Sequence, residues 1–416
     1  MTSTILNAFA GYGIELEYAI VDRVDLSCRP IADKLLGLAA GIPTADVSRG
    51  MFGWSNEMVT HVIEIKNRRP APSLEYLSNA FQHEVHYINR LLQPYGAQLM
   101  PTAMHPWMDP QKETRIWEYD NAEIYQTYER LFDTRTHGWA NLQSMHINLP
   151  FADDAQFEKL HAAIRVILPI IPALAASSPI ADGCNSGYAD YRMEVYRTNA
   201  DAFPSIAGKI IPDTISNRRE YEEKILAPMY RDIAPHDPGN ILQQEWLNSR
   251  GAIARFDRNA IEIRVVDTQE CPKADMAVAA AVIAAVKTLY DGKYASLEMQ
   301  QSIDTDALSE IFLACIQDAD RAIISNIDYL KLLGYPRGRC NARQLWRHLV
   351  SEMIHGDPLH TAPWREPLDV ILEYGPLARR ISRAANGDHT KPHLAGIYAD
   401  LCVCLNKGKM FIDVAH

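Results

Sequence analysis

The chain has 416 residues, 47% hydrophobic and 22% charged, with 52 acidic against 41 basic side chains and a formal net charge of −11. That balance argues against a nucleic-acid partner, which favours a basic surface, and an N-terminus with no basic start or long apolar run reads as lacking a signal peptide. The most apolar stretches, 164–176 and 276–285, are too short to span a bilayer, and seven cysteines without a Cys-x-x-Cys pair point to reduced thiols in the cytoplasm.

Residues 13–22, opening Gly13-Ile14-Glu15-Leu16-Glu17-Tyr18, read as a β-strand. Alternation puts Glu15 and Glu17 on one face and Ile14, Leu16 and Tyr18 on the other. Two like charges side by side need water, a cation or basic side chains; a solvated edge strand is the plain alternative. A short helix over 31–41 precedes a second strand over 58–65, which carries Glu64, with Glu57 just before it. Ser73 is a helix N-cap and Glu75 lies in the first turn of a helix reaching about Leu92, whose polar face is assigned His83, Glu84 and His86.

Residues 101–109 form a loop, 121–132 a helix, and 143–149 a third strand on which His146 and Asn148 share a face. A helix over 155–177 is apolar enough to be buried. The loop over 178–197 carries Gly183, Gly187, Tyr188, Arg192 and Arg197, and the irregular stretch 199–214 reads as a connection or a cover. Short strands at 242–247 and 252–256 lead to a last strong strand at 260–266, where Glu262 and Arg264 share a face.

Five amphipathic segments follow Lys273, at 274–290, 306–326, 342–354, 368–385 and about 393–405. Strands first and helices last predict an α+β fold, with a mainly antiparallel sheet and helices packed on one side. Its expected organisation is a catalytic body over 1–272 and a helical region over 273–416 packed on the sheet in the same unit. The chain has no Gly-x4-Gly-Lys-Ser/Thr loop, and Gly11-x-Gly13 enters a strand instead of leaving one, which argues against a parallel nucleotide-binding fold.

Glu57 and Glu64 are an odd number of residues apart, so an unbroken strand would put them on opposite faces. They converge only if the strand begins or bulges between them. If all these polar faces meet, five carboxylates share a cavity, which is prohibitive without compensation. Hard oxygen ligands call for Mg²⁺ or Mn²⁺, and several such ions point to phosphate chemistry. Arg192, Arg197, Arg255, Arg258 and Arg264 would supply the complement, although each alone reads more readily as a surface or salt-bridge arginine.

Gly13-Ile-Glu15-Leu-Glu17-Tyr, Glu57-x6-Glu64, Gln143-Ser-Met-His146-Ile-Asn148, Ser178-Pro-x3-Gly183-x3-Gly187-Tyr-x2-Tyr191-Arg192 and Ile261-Glu262-Ile-Arg264-Val-x-Asp267 together resemble the glutamate–cysteine ligase family. The nearest branch is the bacterial type 2 and carboxylate–amine ligase group, over roughly residues 11–290. The resemblance implies a glutamine synthetase-like fold, related to that of guanidino kinases, with ATP and Mg²⁺ (or Mn²⁺) on the concave face of a curved sheet. ATP would phosphorylate a carboxylate, and an amine would displace phosphate to form an amide. Glutamate plus cysteine is the best substrate pair.

Carried over by residue, the resemblance makes Glu15, Glu17, Glu57, Glu64 and Glu262 metal ligands and Arg264 the group that steadies the transferred phosphoryl. His146 and Asn148, with Arg255 and Arg258, are assigned to the nucleotide, and Arg192, Arg197 and Tyr188 to the substrate. Asn148 stands where many members have histidine, and Ser186-Gly-Tyr-Ala-Asp190-Tyr-Arg192 departs from a more usual Thr-Gly-Tyr-x-Ser form. Expected partners are a small carboxylic acid and an amine, with neither nucleic acid nor membrane, and the oligomeric state is left open. The alternatives are a small-molecule kinase of related fold and a catalytically degenerate nucleotide- or metal-binding protein.

Overall fold

Strand β1, Gly13–Asp22, runs through the middle of an eight-stranded sheet in the computed structural model, which describes residues 5–412. The other strands are β2 (Asp46–Arg49), β3 (Phe52–Asn56), β4 (Val62–Asn67), β5 (Ala97–Met100), β6 (Ser144–Pro150), β9 (Ala252–Arg255) and β10 (Ala260–Asp267); β7 (Ile180–Ala181) and β8 (Cys184–Asn185) form a separate small hairpin. The order is β2-β3-β4-β1-β6-β10-β9, and every pairing is antiparallel. Ala19 pairs with Val62 on one edge and Met100 on the other, so β5 shares the β6 edge of β1.

Strand alternation divides the sheet into two chemistries. Ile14, Leu16, Ile63, Ile65, Met145, Ile147, Leu149, Ile261 and Ile263 are fully buried in one core, against helices that include Leu74–Leu92, Asp154–Ile167 and Pro272–Tyr290. The opposite face carries the polar side chains, aligned by register. Glu17 lies between Glu64 and β6, Glu15 pairs with Lys66 and His146, and Asn148 pairs with Gly13 and Glu262. A Cβ on Gly13 would come within 2.9 Å of the Asn148 Cβ, so only glycine allows this approach.

The expected strand over 58–65 is instead the second arm of a hairpin. β3 ends at Asn56, residues 57–61 form the connection, and β4 starts at Val62. Glu57 therefore sits on a turn, which removes the parity conflict with Glu64. Glu84 is also reassigned from the polar face. It is buried, and its carboxylate accepts from Trp54 Nε1 at 2.8 Å and Arg49 Nε at 3.1 Å. Pro169 and Pro172 break the long apolar helix into Asp154–Ile167, a 3₁₀ turn and Ile171–Ala175. Residues 242–247 hold a 3₁₀ turn, Glu245–Leu247, instead of a strand.

The helix expected over 306–326 stops at Asp318, and Gly375-Pro376 divides the 368–385 segment into Arg365–Tyr374 and Leu377–Ala385. The 199–214 stretch is anchored: Ile206, Ile210 and Ile211 are core residues, and their carbonyls or neighbours tie to the 249–251 backbone. The residue after β10 begins an entirely buried run, Thr268 to Cys271. Glu270 there pairs with Arg380, also fully buried, and Arg380 donates to the Phe411 carbonyl at 2.6 Å. No helix among the described residues is long and apolar enough to cross a membrane, and all seven cysteines are unpaired.

Three histidines are buried without charge. Burial holds His61 and His105 down at about 4 and His161 at about 3, against an ordinary value near 6.5. Because the unfolded chain binds the proton first, this contribution to stability is complete above pH 6.5 and is lost as pH falls towards those values. For His161, packed between Phe157 and Tyr221, the loss between pH 7 and pH 5 is about 2 kcal/mol. Urea unfolding at both pH values should therefore show His161→Phe losing about 2 kcal/mol less than the wild type on acidification. Equal losses would mean that His161 is already charged or hydrated in the native protein.

Candidate active site

The polar face of the sheet floors a cavity of about 590 Å³. Glu15 and Glu17 enter it from β1, Glu64 from β4, His146 from β6 and Glu262 and Arg264 from β10; Glu57 reaches it from the β3–β4 connection. Arg255 enters from β9, Arg258 from the turn after it, and Arg192 from the helix Tyr191–Tyr196.

Each group is held by named partners. Ser144 donates to Glu17 Oε2 through its backbone N–H at 2.7 Å and its hydroxyl at 3.0 Å. His146 bridges Ser144 Oγ (2.9 Å) and Glu15 Oε2 (3.2 Å), and Asn148 Nδ2 donates to Glu15 Oε1 at 3.2 Å. Glu262 is gripped by Arg264 Nε at 3.0 Å and Arg255 Nη1 at 3.3 Å. Glu64 accepts from Ser55 Oγ at 2.6 Å and Lys66 Nζ at 2.5 Å.

These contacts sort the acids. Burial opposes ionisation of Glu15, yet the His146 bond and the nearby Lys66 charge draw its carboxyl down to about 2. Burial likewise opposes Glu262, and Arg264, His146, Arg255 and Arg258 overcome it to lower that carboxyl. Glu57 goes the other way, pushed well above the carboxylate range by burial and then by Glu17 and Glu64. An acid so raised beside two others marks a place short of positive charge. One oxygen from each of Glu17, Glu57 and Glu64 lies within 4.8 Å of the others, and Glu15, Glu64 and His146 form a second such group. Oxygen-rich sets at that spacing suit Mg²⁺ or Mn²⁺.

Of the expected residues, Glu15, Glu17, Glu57, Glu64, Glu262, His146, Arg192, Arg255, Arg258 and Arg264 line the cavity. Arg192 is tied down, with Nε on Asp267 Oδ1 at 2.5 Å, both side chains buried. Three do not line it. Asn148 stands one step behind, on Glu15. Arg197 turns back to Glu194, with contacts at 2.6 and 2.8 Å, because three residues on a short helix bring the two together. Tyr188 packs beside Tyr191. Sequence reasoning missed Lys66, which its spacing from Glu64 would have revealed, and a wall of Tyr125, Tyr128, Trp139, Tyr196 and Trp246, which has no periodic signature.

The sequence pattern of the glutamate–cysteine ligase family 2 (GCS2) matches residues 12–308, which hold every strand of this sheet. The chain belongs to glutamate–cysteine ligase family 2. This family 2 member is 36% identical over 275 residues to an uncharacterized protein of Archaeoglobus fulgidus, covering 66% of this chain and 73% of that one. It is 26% identical over 277 residues to a Bradyrhizobium diazoefficiens protein named "Putative glutamate--cysteine ligase 2", covering 65% of this chain and 57% of that relative's length.

Two solved structures share its fold. One is glutamate–cysteine ligase (gshA) from Francisella tularensis in complex with AMP, with a TM-score of 0.57 and 13% identity, covering 95% of this chain and 88% of that one. The other is the ligase PafA in complex with the prokaryotic ubiquitin-like protein Pup, with a TM-score of 0.52 and 12% identity, covering 98% and 78%. The family 2 fold is thus α+β, an antiparallel sheet backed by helices.

Proposed function

We propose that the protein is an ATP- and Mg²⁺-dependent carboxylate–amine ligase that forms a γ-glutamyl-type amide through an acyl phosphate, with glutamate and cysteine as the substrate pair. The observation that carries this is the convergence of Glu15, Glu17, Glu57, Glu64 and Glu262, from three strands and a turn, in one cavity beside Arg264. Such a set is far costlier than a binding pocket for a neutral ligand requires. Family membership and a fold neighbour bound to AMP support the same reading.

In this scheme the five carboxylates hold divalent ions, which when bound would neutralise phosphate charge. Arg264, fixed by Glu262 and by the Asn248 carbonyl at 3.4 Å, presents its guanidinium to the transferred phosphoryl. Arg258, half exposed at 3.9 Å from Glu15, meets the nucleotide at the mouth. Arg192 borders the acid substrate. The aromatic wall keeps water from an acyl phosphate, which hydrolyses readily. The amine then attacks the acyl carbon, the C–N bond forms as the acyl C–O bond breaks, and inorganic phosphate leaves carrying the proton that the amine gives up. Residues 1–272 act as the catalytic body and 273–416 as the helices that brace it.

Incubation with ATP, Mg²⁺ and an amino-acid panel is expected to release phosphate only when both an acid and an amine are present. Phosphoryl transfer to a stable acceptor without amine would make the protein a kinase, and nucleotide binding with no turnover would make it a binder. Arg264→Lys keeps the charge but loses the planar fork. It should lower kcat about 100-fold, by the worth of a charge-assisted hydrogen bond or two, with nucleotide affinity little changed. Wild-type kcat in that variant would remove Arg264 from the phosphoryl.

A further inference from the structure

Lys66 sits inside the carboxylate cluster and has no role in the scheme above. It leaves β4 two residues after Glu64, hence on the same face, and stands opposite Glu15 in the register. Its ammonium donates to Glu64 Oε1 at 2.5 Å and to Ser55 Oγ at 2.9 Å, while Ser55 Oγ donates to the same Glu64 oxygen at 2.6 Å. Its side chain is only 29% exposed, so this contact is shielded from solvent.

Glu64 belongs to both potential ligand groups, but their other members are served unequally. Glu15 already has His146 at 3.2 Å, Asn148 at 3.2 Å and Arg258 at 3.9 Å. Among the described residues, no hydrogen bond or ion pair reaches the Glu57 carboxylate. The Lys66 ammonium thus makes its direct contact on the Glu64 side, opposite Glu15, and not with Glu57.

We propose that Lys66 is a tethered cation filling one of two cation positions in this cluster, so that the nucleotide-free protein takes one divalent ion, on Glu17, Glu57 and Glu64, instead of two. The inference rests on the metal-dependent ligase reading. A second ion would have to expel an ammonium from a shielded contact with a carboxylate, and the two positive charges repel at short range. Lys66 thus acts through Glu64 as a positioning residue, fixing the oxygen that the two groups share.

The test is a titration of Mn²⁺ into nucleotide-free wild type, Lys66→Met, Lys66→Gln and Lys66→Arg, with free ion followed by electron paramagnetic resonance. Wild type and Lys66→Arg are expected to bind one ion per chain, and the two neutral variants two. Circular dichroism checks each fold; should Lys66→Met not fold, Lys66→Gln retains a donor for Glu64 and carries the comparison. Two ions in the wild type, or one in a folded neutral variant, overturns the proposal and leaves the ligase reading standing. No Mn²⁺ bound by any of the four overturns the metal-dependent reading, and this proposal with it.

Discussion

Glu64→Gln is expected to lower kcat by about a thousandfold or more, since under the proposed metal-dependent scheme the loss of a ligand would forfeit several kcal/mol of charge stabilisation at the transferred phosphate. Glu64 is chosen because it contributes to both potential ligand groups, so one substitution disturbs the whole cluster. The glutamine keeps the side chain's size and can still accept from Ser55 and Lys66, so the fold should survive. The informative readout is steady-state amide formation at saturating ATP across a range of Mg²⁺. A fall that excess Mg²⁺ partly reverses would place the defect in ion binding. A variant within threefold of wild type at all Mg²⁺ levels would remove Glu64 from the chemistry.

Arg380→Ala should cost about 3–5 kcal/mol of folding stability, because it strands the Glu270 carboxylate where water does not reach. Both side chains are fully buried, and Arg380 also donates to the carbonyls of Gly375 and Phe411. The loss matters for the site because Glu270 lies three residues beyond β10, the strand of Glu262 and Arg264. Urea unfolding measures it directly. The double variant Glu270→Leu with Arg380→Met should recover most of the loss, since a well-packed apolar pair can replace a buried ion pair at little cost. A single-variant loss below about 1 kcal/mol would mean the pair is hydrated in solution.

Much of the sheet could be read from side-chain alternation. Ile14, Leu16 and Tyr18 against Glu15 and Glu17 defined β1 and its faces, and the same logic placed His146, Glu262 and Arg264. β2, β3 and β5 escaped because each is only four or five residues long, as in Asp46–Arg49 or Ala97–Met100, too short for a period to emerge. Glu57 illustrates the remaining gap. Its position depends on a hairpin connection held from elsewhere: the backbone N–H groups of Thr60 and Trp117 bond the carbonyls of Arg115 and Met58. Such distant ties leave no local trace. Glu84 was misplaced for a similar reason, since its partners Trp54 and Arg49 lie 30 and 35 residues away.

The cavity draws its parts from two sources: the acids, His146 and Arg264 come mostly from paired strands, while Asn121, Tyr125, Trp139, Asn199 and Trp246 come from the connecting segments. Backbone pairing fixes the former to a common lattice, whereas the latter can lengthen, shorten or exchange residues at small energetic cost. Descendants of one ancestor could thus trade one substrate for another by rewriting connections, with the acidic floor inherited whole.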